Sequence, residues 1–200
     1  QSIHSRSDET LEKFANGLAR FLDESRTLAS FHHPNIVRVK RFFEANQTAY
    51  MVMEFVAGES LNDWIRSRRP IPAQALTRMA LALLDGMEVV HQSGYLHRDI
   101  KPRNIFLRRS GTPVLLDFGS ARSVVANTER TSIVSPGYAP LEQYHTHGNQ
   151  GPWTDVYALG GVMYWAVTGR RPMEATARVP RDPMPAAVRA ADGNHYPRAL

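Results

Sequence analysis

Cysteine is absent from the 200 residues, which removes disulfides, thiolate metal sites and cysteine nucleophiles and fits an intracellular chain. Lysine is scarce: Lys13, Lys40 and Lys101 are the only three among 24 basic residues, the others being arginine. Phosphate recognition and the base composition of the coding DNA both produce such a bias. The scatter of the arginines favours the second, since short clusters at Arg66, Arg68, Arg69, at Arg108, Arg109 and at Arg170, Arg171 lack the interleaved aromatics of a strand-binding groove. Long hydrophobic runs are missing as well; Val156 to Val167 falls short of the roughly 20 residues that cross a bilayer. Glycine is nearly missing from the first quarter, where Gly17 is the only one before Gly58. No signal peptide opens the chain, which begins with Gln1 and reads as a piece of something longer. What is present, 42% hydrophobic and 22% charged residues with a net charge of +5, describes a soluble folded chain of about one domain's length.

From Asp8 to Ser30, Leu11, Phe14, Leu18, Phe21 and Leu28 recur at helical spacing, which predicts an amphipathic helix. Glu24 falls on the same stripe, and a carboxylate facing a core is costly unless a cation meets it. Ile36 to Phe43 and Thr48 to Val56 read as strands, with Glu44-Ala45-Asn46-Gln47 as the turn between them. Gly58 breaks the chain, and Ser60 is placed to cap a short helix reaching Arg68. Pro72 opens a longer helix with Leu76, Met79, Leu83, Met87 and Val90 on one face and Gly94 at its stop. Short strands follow at Ile105 to Leu107 and Val114 to Leu116, joined through Ser110-Gly111. Residues 117 to 152, rich in Ser, Thr, Gly and Pro, are too many for an idle connection. The segment from Asp155 to Thr168, apolar on all sides, predicts a buried helix, and five of the thirteen prolines lie beyond Gly169. No internal repeat is visible.

His97-Arg98-Asp99-Ile100-Lys101-Pro102-Arg103-Asn104 is followed, thirteen residues after Asn104, by Asp117-Phe118-Gly119. Singly, Asp99 and Asn104 read as turn residues and the triplet as a strand exit. Jointly, in order and spacing, they resemble the catalytic loop and metal-binding triplet of the protein kinase superfamily. The resemblance implies phosphoryl transfer, a chemistry of positioning and charge neutralisation by carboxylates, amide oxygens and cations. It gives Asp99 the proton of the substrate hydroxyl, Lys101 the charge of the transferred phosphate, Asn104 and Asp117 the metal, and Gly119 the tight turn behind Asp117. A lysine two residues after Asp99 is the serine/threonine pattern.

The same resemblance implies a partner for Glu24. In the family a helix glutamate stands nine residues before His-Pro-Asn, as Glu24 does before His33-Pro34-Asn35, and it pairs with a lysine on the preceding strand. Neither that lysine nor a glycine-rich phosphate-covering loop occurs in this sequence. Met53 is implied at the back of an adenine pocket, Glu54, Phe55 and Val56 at its hinge and Phe106 at its floor, ordinary strand core being the competing reading. Leu28, Val39, His97 and Phe118 are implied to stack as a regulatory column. Asp117 to Glu142 is similar to an activation segment, with Ser135 where a threonine usually contacts Asp99 and Lys101. Glu142 keeps the family's spacing from Tyr138, although Pro140 comes one residue early. Arg98 beside Asp99 implies control by phosphorylation, with Thr128, Thr131 and Ser132 either phosphosites or plain loop hydroxyls. Asp155 matches an aspartate that hydrogen-bonds the catalytic-loop backbone, or else is an ordinary helix-start residue. His145-Thr146-His147 has no third ligand at a recognisable spacing and reads as surface loop.

The resemblance covers Glu24 to Pro172 and implies an α+β, protein-kinase-like two-lobe fold truncated at both ends. Residues 1–56 would be an N-lobe remnant (helix C, strands 4 and 5) with the hinge, 57–172 a mostly α-helical C-lobe, and 173–200 an incomplete proline-rich tail. The implied protein is a bacterial, eukaryotic-like serine/threonine kinase that transfers the ATP γ-phosphate to protein Ser and Thr hydroxyls with Mg²⁺, or Mn²⁺ in its place. Its partners would be ATP and protein substrates, not nucleic acid. Its place would be cytoplasmic, with any membrane anchor outside this segment. The missing lysine and glycine loop predict weak or no activity for these residues alone, and leave a non-catalytic kinase-like binding module as the competing class.

Overall fold

The structure is a computed structural model that describes residues 25–191 apart from 27, 47, 119–121, 124–133 and 146. Most of the helix expected from Asp8 to Ser30 lies outside the described residues, and so do Glu24, Gly119, Thr128, Thr131 and Ser132; residues 25–26 and 28–30 are helical. The chain divides into two compact units, one of residues 1–32 and 37–55, the other of residues 33–36 and 56–200.

The first unit contains an antiparallel hairpin of β1 (Val39–Ala45) and β2 (Thr48–Met53). Ala45 pairs with Thr48, so the turn is two residues long and Glu44 belongs to the strand, a tighter connection than the four residues expected. Asn46 takes φ 53°, the left-handed conformation such a turn needs and asparagine tolerates. Phe43 and Tyr50 face each other across the strands and stack at 5.3 Å, with the Arg41 guanidinium 5.1 Å from the Phe43 ring centre. The first strand begins at Val39, not Ile36, because residues 33–36 are part of the second unit. There the Asn35 carbonyl accepts from the Leu115 N–H at 2.8 Å, the Asn35 amide donates to the Pro113 carbonyl at 2.7 Å, and Ile36 bridges Leu115 in parallel.

The second unit runs β3 (Gly58–Ser60), α1 (Leu61–Ser67), α2 (Ala73–Gln92), β4 (Tyr95–Leu96), a 3₁₀ turn (Pro102–Asn104), β5 (Ile105–Arg108), β6 (Pro113–Leu115) and β7 (Arg122–Ser123). A second 3₁₀ turn (Leu141–Gln143), α3 (Pro152–Thr168), α4 (Ala175–Arg178) and α5 (Ala187–Ala190) complete it. β3, β5 and β6 form an antiparallel sheet in that order, and β4 pairs with β7. β3 was not legible as a strand: Gly58, expected only to break the chain, is there because a Cβ would run into the Leu107 carbonyl of β5.

Ser60 caps α1, its hydroxyl accepting from the Asp63 N–H at 3.2 Å and donating to the Asp63 carboxyl at 2.6 Å. All five apolar positions predicted for the long helix are buried in α2, which packs on α3 and on β6. Leu61, Ile65, Leu76, Leu83, Ile105, Val114, Leu115, Val162 and Ala166 are fully buried, each large aliphatic side chain contributing about 1.5–3 kcal/mol. α3 starts at Pro152, three residues before the expected Asp155, with proline at a position where its missing N–H costs nothing. Its apolar character all round does not mean burial all round, since Trp153 and Val156 are 54% and 49% exposed. No described helix is long and apolar enough to cross a membrane. Three short strands carry the polar residues of interest at their ends: β4 leads into His97, the 3₁₀ turn delivers Asn104 into β5, and β6 ends two residues before Asp117.

Candidate active site

Asp99, 7% exposed, is the hub of the loop between β4 and β5. Its Oδ2 receives Lys101 Nζ at 2.7 Å and Asn104 Nδ2 at 2.9 Å, and its Oδ1 receives the Ser135 hydroxyl at 2.6 Å. Lys101 Nζ also reaches the Ser135 hydroxyl at 3.2 Å. Asn104 donates a second bond to the Asp99 carbonyl at 2.9 Å, so its amide nitrogen is turned toward Asp99 and its Oδ1 is the atom left to hold a cation. The Leu116 N–H donates to the Asn104 carbonyl at 2.8 Å and thereby ties the segment carrying Asp117 to the loop carrying Asn104. An amide oxygen and a carboxylate are the donors a hard divalent cation prefers, so these residues fit Mg²⁺. Among the described residues no group of three or more His, Asp or Glu offers another metal site, and His145 and His147 are exposed.

The loop rests on Asp155, which is fully buried. Asp155 Oδ2 accepts from the His97 N–H and from His91 Nε2, both at 2.8 Å, and Oδ1 accepts from the Arg98 N–H at 2.7 Å. It lies inside the first turn of α3, whose N-cap is Gly151, and its carboxylate meets the loop backbone instead of capping its own helix. Arg98 and Asp117 take φ 67° and 57°, conformations that cost a non-glycine residue about 1–3 kcal/mol and persist only when neighbours enforce them. At Arg98 the enforcing bonds are the one to Asp155 and a second from Gln143 Nε2 to the Arg98 carbonyl at 2.8 Å. His97 Nδ1 accepts from the Asp99 N–H at 3.3 Å, so Nε2 carries the proton and donates to the Leu116 carbonyl at 3.1 Å. Both ring nitrogens are engaged with backbone, which leaves His97 a positioning role. Its ring packs on Phe118 with centroids 4.5 Å apart. Glu142 Oε1 accepts from the Thr154 hydroxyl at 2.9 Å, joining the end of the long loop to the start of α3. Burial pushes the Tyr138 phenol above its ordinary pKa, opposed by the nearby Arg171.

Residues 3–187 match the family model of the protein kinase domain. The chain belongs to the protein kinase family. Its relatives include the probable serine/threonine-protein kinase PknB of Lactococcus lactis, 32% identical over 165 residues that cover 81% of this chain and 26% of that protein. Serine/threonine-protein kinase PknA of Mycobacterium tuberculosis is 36% identical over 167 residues, 78% of this chain and 38% of that protein. PknB of Mycobacterium leprae is 32% identical over 185 residues, 85% of this chain and 30% of that protein. The kinase chain thus spans between 26% and 38% of the length of these relatives.

Of the residues expected to hold the nucleotide in this kinase chain, Met53 and Glu54 lie at the end of β2 in the first unit, and Val56 and Phe106 in the second. The Glu54 N–H donates to the Arg38 carbonyl at 2.8 Å. Leu28 and Val39 of the expected column belong to the first unit, His97 and Phe118 to the second. Sequence reasoning missed three polar residues that brace the kinase site: Gln143 on the Arg98 carbonyl, His91 on Asp155 and Thr154 on Glu142. His91 follows Val90 on a helix edge with no feature to separate it from solvated neighbours, and Gln143 and Thr154 sit in a stretch where polar residues are ordinary. Also missed was a cleft of about 620 Å³ beside Lys101 and Ser135, lined by Arg66, Arg69, Arg103 and Arg171.

Proposed function

We propose that this chain carries the phosphoryl-transfer site of a protein kinase that acts on serine and threonine hydroxyls of protein substrates. The observation behind the proposal is the convergence of Lys101, Asn104 and Ser135 on the carboxylate of Asp99. A substrate hydroxyl seated beside Ser135 would give its proton to Asp99, while Lys101 offsets negative charge on the other side of the same carboxylate. Asp155, Gln143 and His97 hold the loop so that Asp99 needs no rearrangement to act. ATP, when bound, supplies the γ-phosphoryl group, and Mg²⁺ its neutralising charge. Asn104 and Asp117 would hold the metal, and Met53, Glu54, Val56 and Phe106 the adenine, with Glu24 engaged by a basic partner near the phosphates. Arg98 would report phosphorylation at Thr128, Thr131 or Ser132. The domain would lie in the cytoplasm.

The test is transfer of label from radioactive ATP with Mg²⁺ by the parent protein. Label is expected on Ser or Thr of protein and peptide substrates and not on Tyr. Transfer that survives Asp99→Asn at its normal rate would overturn the role of Asp99. Because Lys13 is the only lysine preceding Glu24 in these residues, the 200-residue chain by itself should bind Mg-ATP weakly, and a thermal shift implying micromolar affinity would contradict that.

A further inference from the structure

The arginines that look scattered along the chain are gathered in space. The 620 Å³ cleft that begins at Lys101 and Ser135 takes Arg66 and Arg69 from the end of α1 and beyond, Arg103 from the 3₁₀ turn and Arg171 from the segment after α3. All four are exposed, and among the described residues no aspartate or glutamate lines the cleft with them. Arg66 and Arg103 both act on Asp63, but that carboxylate lies outside the lining. Its oxygens are already engaged by Ser60 at 2.6 Å and Asn62 at 3.0 Å. Arg69 is held in place, its Nη2 donating to the Val167 carbonyl at 3.3 Å while its guanidinium covers Gly169, where a Cβ would collide with it. Like-charged guanidinium groups around one concavity repel one another, and the arrangement gains free energy when an anion enters.

We propose that this cleft selects substrates carrying anionic side chains, carboxylate or phosphate, next to the Ser or Thr that is modified. The inference rests on the kinase reading of the Asp99 cluster. The cleft's near end is formed by Lys101 and Ser135, the two partners of Asp99 that a substrate hydroxyl must approach, so a polypeptide seated there lays its neighbouring side chains among the arginines. Guanidinium forks match carboxylate and phosphate oxygens in two-point contacts that a lysine could not make.

Fluorescent peptides of one sequence around a central Ser, with glutamate, phosphoserine, alanine or arginine at each flanking position in turn, provide the test by anisotropy with the 200-residue chain. The glutamate or phosphoserine peptides should bind about tenfold more tightly than the alanine peptide, and the difference should shrink as salt is raised. A preference for phosphoserine identifies convergence on one dianion; equal or better binding of glutamate identifies a run of acids. The double variant Arg103→Glu, Arg171→Glu should reverse the order and favour the arginine peptide, a gain that misfolding cannot produce. Equal binding of all peptides, or tighter binding of a single-stranded RNA of the same charge, overturns the proposal. Phosphorylation of the same peptides by the parent protein separates the two readings. Equal phosphorylation without charge preference leaves the kinase reading standing and removes this one, whereas charge-selective binding with no transfer to any peptide keeps an anion-binding cleft but overturns the kinase reading and, with it, the substrate-selecting role proposed for the cleft.

Discussion

Asp99 and Asp155 are both buried carboxyl groups of the second unit, but their partners differ in kind. Asp155 is held by two main-chain N–H groups and by His91 on a neighbouring helix, donors that stay where the fold puts them. Asp99 is held by three side chains, and two of these, Lys101 and Ser135, also line an open cleft. A buried acceptor facing backbone donors shapes the loop, and removing it leaves those donors without partners. A buried acceptor facing exchangeable side chains can trade one of them for a substrate group without disturbing the backbone. The contrast separates the residue that builds the loop from the residue proposed to meet the substrate.

Asp99→Asn puts the strongest demand on that contrast. In the parent protein it should lower turnover by about 10²–10⁴ while leaving the thermal melting point close to that of the unmodified protein. A large fall in melting temperature would make Asp99 as structural as Asp155 and erase the distinction. Asp155→Ala should show the opposite balance, a loss of stability of about 1–3 kcal/mol for each buried donor left unpaired, read from the midpoint of urea unfolding. Activity would then fall only as a consequence, and an unchanged midpoint would break the comparison from the other side.

Ser135→Ala removes a single exchangeable partner. It should change stability by no more than about 0.5–1.5 kcal/mol, with Ser135→Thr restoring whatever peptide phosphorylation is lost; loss of folding would show that the Asp99 partners are not exchangeable. The smallest effect is expected at Asp63, an exposed carboxyl held below the usual carboxylate range first by its hydrogen bond with Ser60 and then by that with Asn62. A depressed folded-state pKa gives stability that is present above the ordinary value of 3.8 and lost as pH falls through the folded value. The melting difference between the unmodified protein and Asp63→Asn should therefore be small at neutral pH and fade in strong acid. A difference that grows in acid would reverse the sign of this linkage.

Much of the site could be read before any fold was known. The order and spacing of His97 to Asn104 and of Asp117-Phe118 are local properties of the chain, and the apolar face of α2 follows from helical period alone. What escaped depended on distant partners. Ile36 has strand character, but Leu115 draws it into the second unit. Gly58 looked like a break because the carbonyl it must pass belongs to Leu107. For Asp155 only the family resemblance pointed to the loop backbone, because nothing near it in sequence reveals the N–H groups of His97 and Arg98, 58 and 57 residues away.

The chemistry of the chain is thus local and its arrangement is not. Residue types and short spacings by themselves determined the family, the turn-forming glycines, the periodic helix face and the candidate carboxylates, because each depends on backbone geometry over a few residues. Only the tertiary structure set the distances and burial with which Asp155 meets backbone donors and Asp99 meets side chains, and only it gathered Arg66, Arg69, Arg103 and Arg171 around one cleft. Packing of the helices and the small sheet brings those segments together, and electrostatic interaction depends on distance through space, whatever the separation along the chain.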